Sequence, residues 1–203
     1  METVVQLNSN AKLSEHFTLG EFTKSGSHPE VYNIPSHEAI ENLKRLCIWL
    51  EALRERYNAK YCLSSRLSEA HGLSSRLSEA HGEISPQGRD DNTTFLDKPS
   101  GKAERDMTNE EPIRINSGYR SPQLNRAIHG NANSNHMTGC ACDIRVSGME
   151  QALRYAVILM DYADESKQEF DELLIEKNRY GAIWVHFAVR PKDNRRKILF
   201  VNA

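Results

Sequence analysis

Two hydrophobic rhythms divide this chain. In the first, Ile40, Leu43, Leu46, Cys47, Leu50 and Leu53 recur every three or four residues, which predicts one long helix with a single core-facing stripe. Pro35-Ser36 marks its start, and Glu41, Lys44, Arg45 and Glu51 fall largely on the solvated side. Upstream of it, His16-Phe17-Thr18-Leu19-Gly20-Glu21-Phe22 supplies further apolar anchors. Beyond Pro112 the rhythm shortens. Ile113 to Ser117 reads as a strand, Ser121-Pro122 as a cap followed by a proline in the first helical turn, and Gly130 as the stop of that short helix. Asn131 to Thr138 is loop-like and leads into a strand from Cys140 to Val146, in which Cys140 and Cys142 face away from Asp143.

The remaining elements follow from the same patterns. Ser147-Gly148-Met149-Glu150 has the form of a capping box and predicts a helix carrying Leu153, Ala156, Val157 and Met160. Glu172 to Glu176 and Ile183 to Val189 read as strands joined by a turn over Lys177 to Gly181. In the last strand Trp184, His186 and Ala188 share one face, while Ile183, Val185, Phe187 and Val189 make the more apolar one. The expected fold class is therefore α+β, with packing helices on a small antiparallel sheet.

Between the two rhythms lies a stretch that obeys neither. Leu63-Ser64-Ser65-Arg66-Leu67-Ser68-Glu69-Ala70-His71-Gly72 is repeated without change as Leu73 to Gly82, and a polar run follows. Two copies are too few for a solenoid, which needs at least about three units to bury a core. The expected organisation is a scaffold-helix region over 1–58, an inserted linker, disordered or loosely helical, over 59–111, and a catalytic core over 112–203. His71 and His81 lie in the linker, where nothing nearby completes a metal site.

Composition narrows the function classes. A chain of 203 residues with 38% hydrophobic content supports one domain with a real core. Its net charge of -2 gives no electrostatic footprint for nucleic acid or anionic lipid, and the basic run from Arg190 to Arg196 reads as a solvated loop. No apolar run is long enough to span a bilayer, and Met1 to Ser9 lacks the pattern of a secretory signal. Cytoplasmic synthesis and a monomer are the expectation. Cys47, Cys62, Cys140 and Cys142 are expected to stay reduced.

The chemistry concentrates in Ser134-Asn135-His136-Met137-Thr138-Gly139-Cys140-Ala141-Cys142-Asp143, with Ser117-Gly118-Tyr119-Arg120-Ser121 before it and Trp184-Val185-His186 after it. Two imidazoles and a carboxylate suit a zinc centre that keeps its fourth position open, whereas a structural zinc is closed by four ligands. A closed site built on His136 with Cys140 and Cys142 is the competing reading, and the strand alternation counts against it.

This pattern resembles the M15 family of zinc D-Ala-D-Ala carboxypeptidases and related peptidoglycan endopeptidases, phage endolysins among them. The resemblance implies a DD-peptidase-like (Hedgehog/DD-peptidase) fold and one Zn2+ held by His136, Asp143 and His186. It further implies a catalytic Arg120, with Ser134 and Tyr119 at the substrate, and peptidoglycan stem peptides or muropeptides as partners. A wall substrate would be reached after lysis or with a virion. The chain departs from the family at one position: an acidic general base often stands three residues before the last histidine, where this chain has Ile183. Glu176, and next to it Glu172, are the nearest replacements, the choice depending on hairpin register. If neither serves, the alternative is a non-catalytic wall-binding or phage structural module.

Overall fold

The computed structural model describes residues 9–62 and 110–202. The chain divides into two units, one of residues 1–57 with 112–203 and the other Asn58–Glu111. In the second unit Asn58–Cys62 form a π-helical turn, and the Asn58 side chain exchanges hydrogen bonds with the Glu111 backbone. The tandem repeat and the expected state of the linker lie outside the described residues.

In the first unit the helices are α1 (Leu19–Thr23), α2 (His37–Tyr57), α3 (Pro122–Ala127) and α4 (Met149–Ser166). The strands are β1 (Ile115–Ser117), β2 (Ala141–Arg145), β3 (Glu172–Lys177), β4 (Ile183–Ala188) and β5 (Lys197–Asn202). Helix α2 buries the expected stripe of Leu43, Leu46, Cys47, Leu50 and Leu53, joined by Ala39 and Trp49, while Ile40 is only half-buried. The Trp49 ring meets Tyr162 of α4, Phe170 and Phe187 of β4, at centroid distances of 4.9, 6.2 and 5.4 Å. Aromatic contacts of this kind put both long helices on the sheet face that carries Val185 and Phe187. Glu51 departs from its expected solvated role: its carboxylate accepts from the Ser14 hydroxyl at 2.6 Å and the His16 backbone N–H at 2.8 Å, tying the N-terminal segment to α2.

The sheet runs β1-β2-β4-β3-β5 and is mixed, which corrects the antiparallel expectation. Every neighbouring pair is antiparallel except β3 and β5. The cause is a fifth strand for which the sequence pattern gave no signal. Strand β4 ends opposite the start of β3, with Ala188 across from Glu172. A short loop therefore suffices to carry the chain past β3 to its free side, where Lys197 also aligns with Glu172 and the new strand runs in the direction of β3. A second correction concerns α4, whose N-cap is Gly148 rather than Ser147. The glutamine at Gln151, not Glu150, reaches back to accept the Ser147 backbone N–H at 2.6 Å. Among the described residues no helix is long and apolar enough to cross a membrane.

The loop between β4 and β5 is anchored by Asp171, whose side chain is wholly buried. Arg195 donates to both of its oxygens at 2.7 Å, and Asn135 donates to one at 2.8 Å. Burial alone would raise this carboxyl, but the Arg195 and Asn135 hydrogen bonds outweigh it and hold the group down at about 2. A depressed carboxyl contributes stability above its unfolded pKa and loses that contribution as pH falls through the folded value. Asp171→Asn should thus cost about 2–4 kcal/mol at neutral pH, since it leaves a buried pair half made. The gap between variant and parent in urea midpoint should close between about pH 4 and pH 2; a gap that persists unchanged at pH 2 would show that the charge is not the cause.

Candidate metal centre

Strand pairing brings two of the predicted ligands together. Asp143 of β2 stands directly across from His186 of β4, so both point to the sheet face opposite the long helices. The third, His136, comes from a single 3-10 turn, Asn135–Thr138. Ser134 caps that turn, its hydroxyl accepting the His136 backbone N–H at 3.3 Å. Gly139 ends it at φ 73°, a left-handed conformation that favours glycine, and a Cβ there would lie 2.4 Å from the Ala39 carbonyl oxygen. The turn is thereby pressed against α2 with His136 aimed at the sheet.

The ligand atoms converge. Asp143 Oδ1 lies 2.9 Å from His186 Nδ1 and 3.3 Å from His136 Nε2, and the two ring nitrogens are 3.3 Å apart. Ligands about 2.0–2.2 Å from a tetrahedral zinc sit about 3.3 Å from one another, so this spacing fits that ion. Among the described residues these three form the group able to hold a metal, and all are buried. The tautomers suit it as well. His136 Nδ1 lies 2.6 Å from the Gly118 carbonyl oxygen, to which only a protonated nitrogen can donate, leaving Nε2 free to ligate. His186 Nε2 lies 3.5 Å from Glu172 Oε2, which likewise directs Nδ1 inward.

Charge is matched without an ion. Burial alone would raise the Asp143 carboxyl, but His136 and His186 outweigh it and hold it far below the usual carboxylate range. Burial would lower His186, yet the Asp143 and Glu172 carboxylates push it up to about 9. Glu172 is held down at about 2 by its contact with His186, against partial burial and with Arg195 and Lys197 adding to the effect.

The other predicted residues surround this trio. Arg120 donates to Asp143 Oδ2 at 2.7 Å and to the Ser117 hydroxyl at 3.0 Å, with its own backbone N–H on the His136 carbonyl. It leaves β1 at the foot of α3, where Ser121 caps the helix as expected by accepting the Leu124 N–H at 3.1 Å. Tyr119 is buried, and burial raises its phenol. Ser134, besides its capping bond, lines an open cleft with Asn135, Thr138, Arg190 and Lys192. Glu176 lies on the metal-facing side of β3, across from Trp184, and its side chain forms no ion pair or hydrogen bond among the described residues. Cys140 and Cys142 are buried on the other side of β2, where burial pushes both thiols up, so neither belongs to the ligand group.

Two groups carried no signal in the sequence. Asn33, buried in the loop before α2, donates to the Tyr119 carbonyl at 2.8 Å and accepts the Ser121 N–H at 2.6 Å, clamping the strap that presents Arg120. Asn135 donates to Glu172 at 3.1 Å as well as to Asp171. Partners so distant in sequence leave no local pattern to read.

Residues 90–171 match the family model described as Peptidase M15. Over that segment the chain is similar to the M15 peptidases. The matched segment carries Arg120, Ser134, His136 and Asp143 and ends at Asp171, ahead of Glu172, Glu176 and His186. A comparison with curated proteins gives no match. Together, the M15 segment and the His136, Asp143 and His186 group support a metallopeptidase for which zinc is the fitting ion.

Proposed function

We propose that this chain is an M15-type peptidase that uses one zinc ion to hydrolyse D-amino-acid-containing peptide bonds of peptidoglycan, as a carboxypeptidase or an endolysin-type endopeptidase. The observation that carries the reading is the tetrahedral spacing of His136 Nε2, Asp143 Oδ1 and His186 Nδ1 beside an oriented Arg120. Bound there, zinc supplies a Lewis acid for a peptide carbonyl and lowers the pKa of water. Arg120, a planar fork of permanent positive charge, stabilises the oxygen on which negative charge develops. Ser134 and Tyr119 hold the peptide.

The proton carrier is Glu176. Glu172 is the poorer choice because it is already committed to Arg195, Lys197, Asn135 and His186. A base must be free to take a proton from the attacking water and give it to the departing amine. Glu176 shares the face of His186 and has no competing partner among the described residues. Its position on β3 would make good the missing acid at Ile183, which is also what favours the second reading, a wall-binding module without turnover.

The partners are muropeptides and stem peptides, met by a monomer, with no role for nucleic acid. Zinc-loaded protein incubated with muropeptides and followed by mass spectrometry should release a terminal D-alanine or cut one internal bond, and His136→Ala should do neither. A folded, zinc-replete protein that leaves every muropeptide intact would sink the peptidase and leave the binding module.

A further inference from the structure

In the basic loop after β4, Arg195 is half exposed, yet its guanidinium reaches the carboxylates beside the metal centre. Arg195 spans two carboxylates: its Nε and Nη2 each meet an oxygen of the buried Asp171 at 2.7 Å, while Nη2 also lies 2.9 Å from Glu172 Oε1. Asn135 bridges the same two carboxylates, its Nδ2 donating to Asp171 at 2.8 Å and to Glu172 at 3.1 Å. Asp171 itself cannot shift, since its N–H bonds to the Ala188 carbonyl and its carbonyl accepts from Lys197, each within 2.9 Å. Glu172 is thus held by its Oε1 from Arg195 and by its Oε2 from Asn135. The geometry leaves Oε2 facing His186 Nε2.

From this arrangement we propose that Arg195, anchored on Asp171, is a positioning residue of the metal centre: it fixes Glu172, which fixes the tautomer and tilt of the His186 ring. The inference rests on the zinc reading of His136, Asp143 and His186. Outer carboxylates that hold a ligating imidazole commonly change metal affinity by about 10–100-fold when removed. A guanidinium suits the task because its rigid fork can serve two carboxylates at once, whereas an ammonium is a point charge. The sequence alone presents Arg195 as one member of a charged run, with no sign of this reach.

The test is a double-variant cycle read by zinc affinity in a chelator competition, with the visible spectrum of the cobalt-substituted protein as a second readout. Arg195→Lys is preferred to Arg195→Ala because it keeps a positive charge beside the buried Asp171 and so protects folding; circular dichroism confirms the fold. Glu172→Gln should weaken zinc by about 10–100-fold and Arg195→Lys by several-fold, both perturbing the cobalt spectrum. In the Glu172→Gln background, Arg195→Lys should add almost nothing, because its route to the metal is already cut. An Arg195→Lys protein with parental zinc affinity and cobalt spectrum, or one whose loss is the same in both backgrounds, overturns the proposal. If the parent protein takes up no zinc, the metal reading itself fails, an outcome distinct from a parent that binds zinc and an Arg195 variant that binds it equally.

Discussion

His186→Ala should strip the protein of zinc and lower peptide cleavage by about 10³-fold or more, because it removes one of three ligands and one of the two partners of Asp143 Oδ1. Metal content by atomic emission and cleavage by mass spectrometry check the two halves together. Full zinc occupancy in the variant would remove His186 from the ligand set. The same residue makes metal uptake proton-linked. Without metal, His186 is raised to about 9, so near neutrality zinc must displace a proton from it. The sign follows from the direction of the shift. A raised group stabilises the fold fully below its unfolded pKa, near 6.5, and that contribution is lost as pH rises through the folded value of about 9. Chelator-treated protein should therefore lose melting temperature across this window, while zinc affinity rises by up to about tenfold per pH unit. If chelator-treated protein melts at the same temperature throughout, the Asp143 and Glu172 contacts of His186 are not contributing charge stabilisation.

What could be read from the sequence was whatever local spacing encodes. The stripe from Leu43 to Leu53 set the helix, and the alternation of Trp184, His186 and Ala188 against Val185 and Phe187 assigned the faces of β4 before any pairing was known. Ser121-Pro122 gave a helix start that the cap bond repeats. Strand β5 escaped because Ile198, Leu199 and Phe200 form an exposed run with no alternation, and only the end of β4 beside the start of β3 decides where they go. The helix start at Met149 shifted by a residue: Gln151 takes the Ser147 backbone N–H, while Glu150 pairs with Arg154 on the helix surface. At the centre, the three ligands were legible as residue types, but their support was not. Asn33, Asp171 and Arg195 act through partners up to 88 residues away, and no periodicity spans that distance. The Arg190 to Arg196 run reads as solvated because a charge run ordinarily is; Arg195 is half exposed, but a buried aspartate beneath it adds an inward partner that the run does not signal.

Glu176→Gln should leave zinc binding intact and reduce kcat by about 10²–10⁴-fold, the range general acid–base groups supply. The exchange keeps shape and position on β3 but can no longer accept a proton. Glu172→Gln should do the reverse in emphasis. It loosens His186 and weakens zinc first, so its activity should recover substantially when excess zinc is supplied, whereas that of Glu176→Gln should not. The pH profile gives a second separation, since loss of the base should flatten the acidic limb of kcat in Glu176→Gln alone. If Glu176→Gln turns over at the parental rate, Glu176 is a solvated edge carboxylate and the base must lie elsewhere on this face. If Glu172→Gln instead shows the zinc-replete loss of rate, the two glutamates exchange roles, and the arginine-bound carboxylate is the one that carries the proton.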